Sequence, residues 1–176
     1  MNEGTIFLTG STGFLGSYIL KEILLQTHAK IIILVRGHGK DECLKRIEGV
    51  MSFIISEKMF SFYKKRISVL CGDLELSNFG LNKNEIKGLA KEITEIYHCA
   101  ANTDFRIDLK KARTINVGGV KNLLKFAGKC KKGIKINCIS TAFVAGESQG
   151  VFNEHDLNVR QSFNNPCFHF YIGFVP

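Results

Sequence analysis

The sequence predicts an α/β fold, a doubly wound parallel sheet with helices on both faces that is incomplete at its C-terminal side. Three observations lead there. Strand-like runs alternate with segments of helical periodicity along most of the chain. The strand-like runs are apolar almost throughout, as expected of parallel strands buried on both faces. Glycines at positions 10, 13 and 16 sit where the first strand-like run passes into the first helix-like run.

The elements follow in order. GTIFLTG (4–10) is a short apolar β run, and FLGSYILKEILLQT (14–27) places Leu15, Ile19 and Ile23 at helical spacing. KIIILVR (30–36) is a continuous β-branched run, the mark of a central strand. Residues 41–62 read as a long helix with a possible break, and RISVLCGDL (66–74) as a third strand. A short amphipathic helix is expected over 82–92 and a fourth strand at TEIYHCAA (94–101). A long helix with glycines in its middle is expected over 108–130, then a fifth strand at IKINCISTAF (134–143). Crossovers between parallel strands should be right-handed.

Bulk properties exclude several classes. With 176 residues, 45% apolar content and a mean hydropathy of +0.04, the chain can bury a core of its own. It has no apolar run long enough to span a bilayer. The start, MNEGTIFLTG, lacks the basic segment of a signal peptide, so a cytoplasmic location is expected. Six cysteines show no CxxC and no zinc-type spacing; buried free thiols and no metal are the expectation. The net charge of +8 is spread over KKR (64–66), KK (110–111) and KK (131–132), suiting an anionic ligand or an acidic carrier. Nothing in it resembles a nucleic-acid motif.

The composition breaks near the C-terminus. After Arg160 there is no Lys, Arg, Asp or Glu, and QSFNNPCFHFYIGFVP (161–176) holds four of the fourteen phenylalanines. The expected organisation is a partial dinucleotide-binding domain over 1–160 and an aberrant, poorly ordered apolar tail over 161–176.

The glycine turn is the first candidate site. Gly10 permits a tight turn, Gly13 lets backbone approach a pyrophosphate, and Gly16 lets the helix pack close to the sheet. Ser11, Thr12, Phe14 and Leu15 complete the segment, and its helix N-terminus favours an anion. The alternative is a tight turn with no ligand. The second strand ends in Arg36, where an NAD site usually carries an acid. An arginine can grip a 2′-phosphate, so NADP(H) is favoured over NAD(H); a surface arginine is the alternative. His38 is a weaker candidate. Asp73 and Leu74 follow strand three, Ala100 and Ala101 strand four, and Ser140 and Thr141 strand five. Ligands of doubly wound sheets bind at this edge, outside the carboxyl ends of the strands.

Together, TGSTGFLG, LVRG, GDL, IYHCAANTDF, INVGGVKNLLKFA and CISTAFVAG resemble the extended short-chain dehydrogenase/reductases with a Rossmann-like domain. The resemblance is closest to the thioester reductase and fatty acyl-CoA reductase branch, the "male sterility" NAD-binding domain, over about residues 4–166. It implies reduction of an acyl thioester, on coenzyme A or an acyl carrier protein, to aldehyde or alcohol with NADPH. It also implies that Gly10, Gly13, Gly16 and Arg36 bind the dinucleotide, with Asp73 and Leu74 near adenine and Ala100 and Ala101 lining the cofactor. Asn116 would sit in mid-helix behind the site, and Thr141 would offer a hydroxyl to the substrate carbonyl.

The family also needs a tyrosine as proton donor and a lysine four residues later that lowers its pKa. After NNP (164–166) the expected tyrosine position holds Cys167, and the expected lysine position holds Tyr171, whose own fourth neighbour is Val175. No YxxxK occurs in the chain. Catalysis by this chain alone is therefore not expected, and the tail reads as out-of-frame or aberrantly terminated sequence. A catalytically inactive dinucleotide-binding module and a non-functional fragment are the alternative readings.

Overall fold

The computed structural model describes residues 4–104, 106–141, 145–153, 155 and 156. Five parallel strands form one sheet: β1 (Thr5–Thr9), β2 (Lys30–Val35), β3 (Ile67–Cys71), β4 (Ile93–His98) and β5 (Lys135–Cys138), in the order β3-β2-β1-β4-β5. The order reverses between β1 and β4, the doubly wound arrangement the sequence predicts. The helices are α1 (Phe14–Gln26), α2 (Lys40–Met51), α3 (Glu57–Tyr63), α4 (Lys83–Glu92), α5 (Leu109–Arg113) and α6 (Gly119–Ala127).

Strand periodicity divides the core into two layers. Ile6 and Leu8 of β1 and Ile31, Ile33 and Val35 of β2 face Leu20, Leu24, Cys43 and Ile47 of α1 and α2. The alternate residues Phe7, Ile32 and Leu34 face Ile86, Leu123 and Phe126 of α4 and α6. Phe7, Phe79 and Phe126 form an aromatic trio with ring centroids 5.3–5.8 Å apart. Arg66 fastens the start of β3 to the end of α1 and the turn after it, donating to the carbonyls of Leu24 and Ala29.

The differences from expectation are local. The helix expected over 41–62 is interrupted between Met51 and Glu57. There, Phe53 and Ile54 bond three residues back, Ile55 turns into the core, and the Ser56 hydroxyl caps α3. The stretch expected as one helix over 108–130 keeps a helical path, widened to a π-type turn over Thr114–Gly118 between α5 and α6. Strand β5 is shorter than 134–143, so Ser140 and Thr141 lie beyond it.

The cysteine expectation is corrected at one pair. Cys43 of α2 and Cys71 of β3 are joined as a disulfide, with Cα atoms 6.3 Å apart, whereas Cys99, Cys130 and Cys138 are free. Their separation of 28 residues gave no sign of this, because the pairing is made by the β2–α2–β3 crossover. Cys167, Tyr171 and the rest of the expected tail, 161–176, lie outside the described residues.

Candidate functional site

The site grows from the β1–α1 turn. Gly10 has φ 75°, a left-handed conformation, and an added Cβ would stand 2.5 Å from the Ala100 backbone nitrogen. The chain therefore passes here against the end of β4 only because residue 10 has no side chain. Gly16 is under the same constraint from below: a Cβ there would overlap the Gly10 carbonyl. These contacts pin the start of α1 beneath the ends of β1 and β4. The α1 N-terminus carries no side-chain cap and no acid in its first turn, so its backbone N–H groups face an open site.

A second device fixes the same corner. Thr9 and His98, register partners on β1 and β4, share a 2.7 Å hydrogen bond between Oγ1 and Nδ1. Both are buried, and burial lowers the His98 pKa to about 4, so its imidazole is neutral at pH 7. The bond couples the strand ends that lead into Gly10 and into Cys99–Ala100. Burial, with Cys138 nearby, pushes the Cys99 thiol up to about 11, so it stays protonated.

An open cavity of about 270 Å³ lies at the order reversal, outside the carboxyl ends of the strands. Of the expected residues, Gly10, Thr12, Gly13, Arg36, Asp73, Leu74, Ala100 and Ala101 all line it. Asp73 accepts from the Glu75 backbone N–H at 2.9 Å, which folds the turn after β3. The Arg36 guanidinium is exposed and lies 3.5 Å from the Glu75 carboxylate. Arg46, one face of α2 away, donates to the Arg36 carbonyl, so two guanidinium groups stand at this end of the cavity.

Other expected residues lie around the cavity rather than on it. Phe14 and Leu15 begin α1 with exposed side chains, and Gly16 is buried beneath the turn. The Ser11 hydroxyl is buried and has no hydrogen-bond partner among the described protein atoms. Asn116 sits in the π-type turn and holds the loop after β4: its Oδ1 accepts from Asn102 N–H at 2.7 Å, and its Nδ2 donates to Asn102 O at 3.0 Å. His38 borders a neighbouring recess with Arg36 and Cys71. Ser140 and Thr141 are not among the lining residues of the cavity, and Ser140 is exposed.

Sequence reasoning missed Arg46, Glu75, Asn102 and Ile115, all of which line the cavity. On a helix rich in exposed charge, Arg46 carries no signal that sets it apart. The Thr9–His98 pair was missed as well, since the sequence shows each only as one residue of a strand-like run.

Residues 8–165 match the NAD-binding family described as "Male sterility protein". The chain belongs to that family. It is 32% identical over 172 residues to "Fatty acyl-CoA reductase 2, chloroplastic" of Arabidopsis thaliana, covering 89% of this chain and 27% of the relative. Two solved structures share this male sterility-type fold at 28% identity. One is the terminal R domain from the myxalamid PKS-NRPS biosynthetic pathway, with a TM-score of 0.81 and coverage of 97% of this chain and 44% of that one. The other is a thiolation-reductase di-domain from an archaeal non-ribosomal peptide synthetase, with a TM-score of 0.80 and coverage of 98% and 47%. The chain thus spans less than half the length of each of these relatives. Among the described residues, no helix is long and apolar enough to cross a membrane.

The residues present fit a dinucleotide. The glycine turn is a cradle that side chains would fill, the helix end behind it is uncapped, and the far end carries two guanidinium groups.

Proposed function

We propose that this chain is the NADP(H)-binding part of a reductase acting on acyl thioesters, carried on coenzyme A or an acyl carrier protein, to give an aldehyde or alcohol. The observation that carries the proposal is the convergence of Gly10, Gly13, Arg36, Asp73 and Ala100 on one cavity at the order reversal. The thioester part rests on the likeness to a fatty acyl-CoA reductase and to two reductase domains, one from a PKS-NRPS pathway and one joined to a thiolation domain.

Each residue has a role in this reading. The N–H groups at the start of α1, behind Gly10 and Gly13, hold the pyrophosphate. Asp73 and Leu74 border the adenine. Arg36 and Arg46 take the 2′-phosphate, with the exposed Arg36 exchanging its half-buried Glu75 partner for a doubly charged one. Ala100 and Ala101 leave room along β4 for the rest of the dinucleotide. When bound, the cofactor supplies the hydride. Thr141 offers its hydroxyl to the thioester carbonyl, and the +8 chain attracts the phosphates of coenzyme A or an acidic carrier.

A second reading, dinucleotide binding without turnover, is favoured by one fact: none of the four tyrosines is followed by lysine at the fourth position. Titration of the purified chain with NADPH and NADH, followed by fluorescence, tests the cofactor. Addition of a long-chain acyl-CoA, with NADPH consumption followed by absorbance, separates the readings. Tighter NADPH binding with no consumption supports the binding module, and consumption supports the reductase. Binding of neither nucleotide overturns both.

A further inference from the structure

We propose that Cys43 and Cys71 form a reversible redox site that opens onto the recess beside the adenosine end of the cofactor cavity, which shares Arg36, Arg46, Gly72 and Asp73 with it. The part of this proposal that concerns shielding by cofactor rests on the dinucleotide reading above. Cys71 is the last residue of β3, followed directly by Gly72 and Asp73. It lines a recess together with Arg36, Gly37, His38 and Arg46. Cys43 is fully buried on the inner face of α2, one turn before Arg46. The pair therefore joins the two segments that frame the cationic end of the site.

The same two sulfurs lie near the backbone that presents Arg36. The Cys43 sulfur is 3.3 Å from the Val35 carbonyl oxygen, and the Cys71 sulfur is 3.4 Å from that of Gly37. As thiols, both donate to these carbonyls on either side of Arg36. As a disulfide, neither has a hydrogen to donate, and the bridge instead fastens α2 to the end of β3. Gly37 packs against the Cys43 sulfur so closely that an added Cβ would come within 2.8 Å of it. A change of redox state is thus felt directly at the Arg36 segment.

The chemistry needs an oxidant of the peroxide class. Cys71 lines the recess whereas Cys43 is fully buried, so Cys71 meets the peroxide first. The Cys71 sulfur attacks one peroxide oxygen, the O–O bond breaks, and the leaving hydroxide takes up the thiol's proton, giving a sulfenic acid and water. The Cys43 sulfur then attacks the sulfenic sulfur, forming the S–S bond and releasing a second water. Two thiols lose two electrons and two protons, and the peroxide is reduced to two waters. A dithiol reverses the step by thiol–disulfide exchange.

The experiment uses the full chain, reduced with dithiothreitol, desalted and exposed to hydrogen peroxide. It is run with and without NADP⁺, which is not itself a reductant, and NADP⁺ occupancy is measured by calorimetry in the same buffer. Samples are quenched with N-ethylmaleimide and digested, and cross-linked peptides are identified by mass spectrometry. The expected product is a Cys43–Cys71 cross-link, reversed by dithiothreitol and formed at least fivefold more slowly at saturating NADP⁺. Pairing through Cys99, Cys130, Cys138 or Cys167 instead, or no cross-link, overturns the redox site. An unchanged rate at demonstrated NADP⁺ saturation overturns its position at the cofactor site. Absence of NADP⁺ binding counts against the dinucleotide reading, while the cross-link itself still decides the pair. No variant is required, so misfolding of a mutant cannot obscure the result.

Discussion

The two ends of the sheet differ in how they are built. On the β1–β2–β3 side, β2 runs between two neighbours with five of its six residues buried, and its end delivers Arg36 to the cavity. On the β5 side, none of the four strand residues is buried, and the two hydroxyl residues that follow are not on the cavity wall. The first side brings the glycine turn and Arg36 to the proposed dinucleotide site by short-range geometry. The second is held by side-chain bonds such as those between Asn116 and Asn102. The proposed binding site draws mainly on the first side, closed by Ala100 and Ala101 at the end of β4.

The sharpest way to break this contrast is at Gly10. Replacement by valine forces a β-branched residue into a left-handed conformation and drives its Cβ into the Ala100 backbone. Gly10→Val should cost more than about 3 kcal/mol and abolish dinucleotide binding. Gly88 of α4 is the internal control, since nothing lies within 4 Å of a Cβ added there. Gly88→Ala should instead add about 0.5–1 kcal/mol. Urea unfolding followed by circular dichroism measures both; equal behaviour of the two variants would remove the steric account of the turn.

The next effect comes from His98, at the seam between the sides. Its folded-state pKa, about 4, lies below the ordinary value of 6.5 because it is buried. Between these values the unfolded chain binds a proton that the folded chain does not. The stabilisation is therefore complete above about pH 6.5 and declines as the pH falls toward 4. From pH 7 to pH 5 the loss should be about 2 kcal/mol. His98→Gln should show a shallower decline in unfolding experiments across the same range, and parallel curves would contradict the assignment.

A smaller effect is expected on the β5 side. Asn116→Ala removes both bonds to Asn102 and should cost about 1–2 kcal/mol by chemical denaturation. Because the loop it holds borders the cavity, NADPH affinity should weaken by less than about tenfold, equivalent to 1.4 kcal/mol. A larger loss of affinity than Arg36 substitution causes would reverse the ranking of the two sides.

The same contrast explains what the sequence made legible. The strand and helix alternation was readable because β1 and β2 are buried almost throughout and their apolar pattern is strong. The glycine turn and Arg36 were readable because a cofactor cradle packs its requirements into a few neighbouring positions. Arg46 and Glu75 were not, since a charge on a helix surface or in a turn carries no sign of which cavity it will border. The break in the 41–62 helix rests on Ile55 turning inward and on a serine cap, both weak local signals against a continuous helical period. The Cys43–Cys71 pairing depends on a crossover that no spacing rule encodes. Thr141 was placed by its position after the fifth strand and by resemblance, and it is not among the residues lining the cavity.

The central claim is that the cationic end of the cavity selects NADP(H). The most direct measurement is the ratio of NADPH to NADH dissociation constants for the wild-type chain and for Arg36→Glu. The account predicts a wild-type preference for NADPH of at least about tenfold, or 1.4 kcal/mol, and its loss or reversal in the variant. A variant that keeps the wild-type preference would contradict it.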